Sequence, residues 1–161
     1  MSVNQYFRAG TGTVIFNHSG EILLFARTGM PHVWQLQQGG MDAGEDVAAT
    51  LWRELLEETG LTTEDFISIV NYPKWLSYKY PDATRARIPD LNCLGQIHQW
   101  YFLQIKPGTE VNLDLAHDKE FSDYKWTTFT NLLENTDELK LEVYTELNHF
   151  FGSEILPKIA P

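Results

Sequence analysis

The chain has 161 residues, 43% hydrophobic and 21% charged, which is enough apolar material for one globular domain with a full core, expected to span residues 1–161, and leaves no comfortable room for a second. Lys and Arg total 12 against 22 Asp and Glu, and the formal net charge of -10 opposes nonspecific binding to DNA or any other polyphosphate backbone, so an anionic ligand must be met locally. The longest apolar runs, around Val14 to Phe16 and Trp100 to Leu103, fall far short of the roughly 20 residues of a membrane span, and the chain does not open on a signal-peptide pattern.

Residues 11–17 are β-branched and aromatic and predict a strand, Asn17-His18-Ser19-Gly20 has turn chemistry, and residues 21–27 resume a strand, giving a hairpin. A short third strand is expected at 34–36. Three glycines between Gly39 and Gly44 then form a loop feeding a helix from about Asp46 to Thr59. Further strands are expected at 66–72, 96–105 and 124–127. A closing helix over 139–151 places Leu141, Tyr144, Leu147 and Phe151 at helical spacing. Strands interspersed with helices imply an α/β fold with a mixed sheet covered by helices. The single cysteine, Cys93, excludes an intrachain disulfide and a Cys-rich zinc site; a buried structural thiol in a reducing cytoplasm is the expectation.

The helix after the glycines carries Val47, Leu51 and Leu55 on one face for packing. Its other face gathers Glu54, Glu57 and Glu58 within a sector of roughly 100°, because residues three and four apart are neighbours on a helix. Like charges four apart, and anions near a helix C-terminus, both work against the helix. Arg53 can pair with Glu57 but cannot neutralise three carboxylates, whereas a divalent cation can. Oxygen-only ligands of high negative charge suit Mg2+ or Mn2+ and do not suit zinc. The competing interpretation is a solvated acidic face.

Gly39, Glu45, Arg53, Glu54, Leu55, Glu57, Glu58, Gly60 and Leu61 complete the pattern G-x5-E-x7-R-E-U-x-E-E-x-G-U, where U is a bulky aliphatic residue. At ordinary residue frequencies such a match arises by chance in less than about one chain in 100,000. The pattern resembles the signature of the Nudix hydrolases. The resemblance implies an α/β/α sandwich, a loop-helix-loop that holds divalent metal against a diphosphate, and hydrolysis of a nucleoside diphosphate linked to another group. On this chain it makes Glu54, Glu57 and Glu58 metal ligands, or assigns one of them, Glu57 first, instead as the base that takes a proton from water. Arg53 would orient the glutamates and Gly39 would let the backbone turn. Glu45 stands at the start of the helix, where a structural role competes with metal binding, and Gly60 is structural.

Outside the signature, Tyr6 to Arg8, Trp34-Gln35-Leu36 before Gln38-Gly39-Gly40, Trp75-Leu76 with Tyr78-Lys79, Gly95-Gln96 with Trp100, and Glu120-Phe121 resemble the bacterial dinucleoside polyphosphate hydrolases and RNA 5′-pyrophosphohydrolases. That resemblance makes Glu120 a further metal ligand or base. Arg8, Arg27, Tyr78 and Lys79 are candidates for phosphate contact in an otherwise acidic chain. Gln38, Gly39, Gly40 and Gln96 are candidates for the rest of the substrate, and Tyr6, Phe7, Trp34 and Tyr78 for a base-stacking platform. Two positions depart from the subgroup. Gln37 replaces a proline, and Leu139 replaces an aromatic at the start of the last helix, where an aliphatic side chain offers no stacking face.

The leading expectation is a Mg2+-dependent hydrolase of dinucleoside polyphosphates such as diadenosine tetraphosphate, preferred because the acidic balance disfavours tracking an RNA backbone. The second is an RNA 5′-pyrophosphohydrolase removing diphosphate from triphosphorylated transcripts. A third, a silent nucleotide-binding module, fits poorly with three intact glutamates.

Overall fold

The computed structural model describes residues 4–159. Seven strands form one mixed sheet: β1 (Tyr6–Phe16), β2 (Ile22–Arg27), β3 (Met30–Gln35), β4 (Gln37–Gly40), β5 (Phe66–Lys79), β6 (Cys93–Ile105) and β7 (Phe121–Thr127). The path runs β3-β2-β1-β6-β5, with β4 added to β1 and β7 to β2. Only β1 and β6 run parallel; the other pairs are antiparallel.

The pleat explains why helices cover both faces. Ile15, Leu23, Phe25 and Leu103 pack with Leu51 and Leu55 of α1 (Val47–Thr59). Their neighbours Val14, Ile22, Leu24 and Phe102 point the other way, onto α3 (Phe129–Asn135) and α4 (Glu138–Phe150). Strands buried on both faces lose polar alternation, and the central strands here accordingly read as continuous apolar runs. Cys93 is buried with a free thiol, as expected.

Several boundaries differ from expectation for local reasons. The single strand foreseen at 34–36 is two strands meeting at Leu36. There the chain leaves β2 for β1, and the Leu36 amide donates to the buried Tyr144 hydroxyl at 3.4 Å. Gly39 and Gly40 are therefore strand residues paired with Thr11 and Gly10, and the loop proper follows them. Strand β5 continues past Tyr72 through Pro73, which an edge strand permits, with a register shift between Asn71 and Trp75. The short helices α2 (Asp82–Arg85) and α3 were not foreseen. In α4, Leu141 is 41% exposed and Val143 takes its place in the apolar stripe.

Gly12 of β1 lies beside Trp100 of β6, a side chain with no exposed surface. A Cβ at Gly12 would come within 2.5 Å of the indole, so Gly12→Ala overpacks the sheet. The expected loss is about 1–3 kcal/mol of stability in urea unfolding, with metal binding unchanged in calorimetry.

Candidate active site

Helix α1 begins at Asp46, whose side chain accepts from the Ala49 amide at 2.7 Å. It ends at Gly60, which is in the left-handed region at φ 78 and returns its amide to the Leu56 carbonyl. Just before the cap, Glu45 accepts from Arg53 through Nε at 2.6 Å and Nη2 at 2.9 Å, from the Thr50 hydroxyl and from the Asp42 amide. These bonds, the Arg53 guanidinium first, hold its carboxyl down to about 2. These contacts tie Glu45 to Arg53 and to the first turn of α1.

The anchored Arg53 reaches Glu54 at 3.0 Å and Glu57 at 3.1 Å, and donates to the Gly40 carbonyl at 2.8 Å. Strand β4 and two signature carboxylates are thereby fixed by one guanidinium. Glu58 is 3% exposed. Gln37 donates to it at 2.9 Å and accepts from the Thr13 hydroxyl at 2.8 Å, so the residue that departs from the subgroup's proline orients a signature glutamate. Glu120 arrives from the loop before β7, which is pinned by the Asp118 amide on the Glu57 carbonyl and by the Thr28 amide on the Glu120 carbonyl, each at 2.8 Å.

Burial pushes the Glu58 carboxyl well above the usual range, and the facing Glu120 pushes it further. Burial also raises Glu54, against the pull of Glu58 and Arg53 hydrogen bonds. Carboxylates pressed together out of water need a proton or a cation between them. Among the described residues no three His, Cys, Asp or Glu side chains close into a ready-made cage. Hard ions that retain waters and share ligands with substrate phosphates do not need one, and the all-oxygen donor set fits such an ion.

Glu54, Glu57, Glu58 and Glu120 all line one cleft of about 750 Å³. Gly39, Gly40, Arg8, Arg27, Gln38, Tyr78 and Gln96 also line it. Gln38 donates to Tyr78 at 2.9 Å and to Gln96 at 3.1 Å. Lys79 is not among the lining residues. It alternates with Tyr78 and Tyr80, which are, so the pleat turns it to the opposite side, and the expected phosphate contact is withdrawn. Of the four platform aromatics, Trp34 and Tyr78 reach the cleft, while Tyr6 instead donates to Asp90 at 2.6 Å.

Lys140 and His98 were missed. Each sits within an apolar pattern that gives no sign of the cleft it faces. Burial holds the Lys140 ammonium below its ordinary range, and it has no ion pair among the described residues. Burial likewise lowers His98 from 6.5 to about 4, with the Lys140 charge acting in the same direction. The unfolded chain protonates this imidazole first, so its contribution to stability is complete above pH 6.5 and is lost as the pH falls toward 4. Comparing wild type with His98→Gln in urea, the wild-type advantage should shrink by about 2 kcal/mol between about pH 7.5 and pH 5. An unchanged difference would contradict a neutral buried imidazole.

The NUDIX domain model matches residues 6–147. The chain belongs to the NUDIX family. A NUDIX relative from Pseudoalteromonas translucida, named RNA pyrophosphohydrolase, is 36% identical over 152 residues, covering 94% of this chain and 88% of that protein. Nudix hydrolase 25 of Arabidopsis thaliana is 32% identical, covering 91% and 87%. Among solved structures, the E. coli dihydroneopterin triphosphate pyrophosphohydrolase superposes with a TM-score of 0.70 at 16% identity, covering 90% of this chain and 99% of that one. A C. elegans Ap4A hydrolase superposes at 0.63 and 20%, covering 89% and 98%. These superpositions establish the NUDIX fold. The chain is a NUDIX pyrophosphohydrolase, and enzymes of this family generally use divalent metal ions. No helix among the described residues is long and apolar enough to cross a membrane.

Proposed function

We propose that the chain hydrolyses a phosphoanhydride bond of nucleoside 5′-polyphosphates, with dinucleoside polyphosphates such as diadenosine tetraphosphate as the first substrate. The observation that carries this is that one cleft is lined both by Glu54, Glu57, Glu58 and Glu120 and by Arg8, Arg27 and Lys140. Three cations can meet a short polyphosphate but form no track for a longer backbone.

Glu54, Glu58 and Glu120 would hold the divalent ion, Mg2+ or Mn2+, and Glu57 would serve the attacking water instead of the ion. When bound, that ion offsets the charge on the bridging phosphates and acidifies water. Arg8, Arg27 and Lys140 bind the phosphate oxygens. Arg53 keeps Glu57 turned to the cleft, where its carboxylate takes the proton of the attacking water. The P–O bond opposite the incoming oxygen breaks, and the departing phosphate leaves with its electron pair, its charge met by Arg8, Arg27 and Lys140. The intact signature disfavours the silent-module alternative. We place the enzyme in the cytoplasm, where the buried thiol of Cys93 stays reduced.

A second substrate reading, the 5′ end of triphosphorylated RNA, is favoured by the name of the 36% identical relative. A Mg2+-supplemented panel of diadenosine tetraphosphate, nucleoside triphosphates, ADP-ribose and triphosphorylated RNA oligomers tests both. Release of mononucleotides from diadenosine tetraphosphate is expected. Diphosphate release from RNA with negligible dinucleotide cleavage would reverse the order.

A further inference from the structure

Strand β5 ends the path of the sheet, and its strand partner among the described residues is β6 alone. Its other edge therefore offers backbone N–H and C=O groups to solvent. Natural edges are commonly blunted by charge, proline or a bulge. On β5 the register shifts against β6 fall between Phe66 and Ser68 and between Asn71 and Trp75, so the stretch between them is regular strand. Ile67, Ser68, Ile69, Val70 and Asn71 are all exposed and uncharged, and Pro73 and Lys74 come only after them. Ile67, Ile69, Val70 and Trp75 are between 39% and 54% exposed, a concentration on one strand that singly scattered surface residues do not produce.

The charges at the two ends of this run say what covers it. Glu64 and Asp65 precede it and Lys74 follows it, and neither Glu64 nor Lys74 has an ion pair among the described residues. The same strand running the other way supplies an extended backbone, apolar side chains and the opposite charge at each end, which is the self-complementarity of a twofold interface. The rest of a chain of net charge -10 repels its copy, whereas β5 contains no Asp or Glu. Opposed residues of an antiparallel pair share a face, so the axis passes through a residue and not between two. Placed on Ile69, midway between Glu64 and Lys74, it brings Lys74 of each copy to the Glu64–Asp65 end of the other and leaves Pro73 outside the ladder. Placed on Val70, it would set Ile67 against Pro73, which has no N–H to donate.

We propose that the free edge of β5 is an interface between two copies of this chain, paired antiparallel about Ile69 into one continuous sheet. Ile69 lies opposite Leu103, which packs with Leu51 and Leu55 of α1, so the two Ile69 side chains meet on the α1 face of the joined sheet. Val70 lies opposite Phe102 on the other face, where it stands beside Ser68 of the second copy. The inference is independent of which polyphosphate the cleft takes.

Sedimentation velocity of the full chain between about 1 and 100 µM, the range in which an interface at the small end of stable ones assembles, should show monomer converting to dimer. Ile69→Lys sets like charges against each other at the axis and should weaken self-association at least about tenfold. Its urea midpoint should stay near wild type, because the side chain is half-exposed. Glu64→Lys and Lys74→Glu should each weaken the dimer, and an equimolar mixture of the two should recover it, since every lysine of the mixed pair again meets a carboxylate. Mild oxidation should join copies of Ile69→Cys through a disulfide, because directly opposed Cα atoms lie about 4.5–5.5 Å apart. Ile67→Cys, displaced from its own copy by roughly 13 Å along the strands, should stay unlinked. The native Cys93 is buried and does not compete. If Ile69→Lys folds poorly, the cysteine variants carry the test. A wild type that stays monomeric throughout that range, association unmoved by a folded Ile69→Lys, or equal crosslinking at both cysteine positions would overturn the inference.

Discussion

Glu57→Gln should lower kcat by at least about 100-fold while KM and the urea midpoint stay near wild type, because positioned proton transfer contributes about 10²–10⁴ in rate. The side chain is 31% exposed and its protein contact is Arg53, to which a carboxamide oxygen can still accept, so the fold loses little. The substitution removes a charge and a proton acceptor from the cleft and leaves the shape intact. A kcat loss without a KM rise is what removal of an interaction made in the transition state produces. Wild-type turnover in a folded Glu57→Gln protein would remove Glu57 from the chemistry.

Gly39→Ala should be nearly as damaging by a different route. A Cβ at this position would lie 2.4 Å from both Cγ and Cδ of Glu54 and 2.5 Å from its Oε2, far inside van der Waals contact. Strand β4 cannot retreat, because Gly39 is paired with Thr11 and the neighbouring Gly40 carbonyl is held by Arg53. The mobile partner is the Glu54 side chain, which must swing away and drag its oxygens out of the cleft. Displacement by about 1 Å can reduce turnover about 100-fold, whereas stability should change little because a side-chain end moves more cheaply than backbone. Steady-state kinetics beside urea unfolding separates this from Gly12→Ala, where the obstructed group is a packed indole and stability suffers. Full activity in Gly39→Ala would mean that Glu54 need not stand where it does.

The part of the site on α1 was legible because helical periodicity is local: the spacing of Glu54, Glu57 and Glu58 fixes their common face, and Asp46 and Gly60 mark its ends. Glu120 was legible only through the order of motifs along the chain, since the loop that delivers it is pinned by backbone bonds from Asp118 and Thr28 that no side-chain pattern announces. Lys140 and His98 stayed hidden because their meaning depends on a tertiary cleft. Lys140 reads as a helix cation and His98 as one more residue of a buried strand. Lys79 was misjudged for the converse reason: its charge was visible, but the pleat of β5 was needed to show that Tyr78 and Tyr80 take the inner positions. The split at Leu36 likewise depends on a distant partner, the hydroxyl of Tyr144. Gln37 was noticed as a departure, and only the structure shows it gripping Glu58.

Isothermal titration of Mg2+ into the protein with a nucleoside polyphosphate present addresses most directly whether these crowded carboxylates are a cation site. Uptake at millimolar ion is expected in the wild type, markedly weakened in Glu54→Gln and Glu58→Gln and retained in Gly12→Ala. Heats indistinguishable from dilution in the wild type, or uptake undiminished in both glutamate variants, would contradict the account.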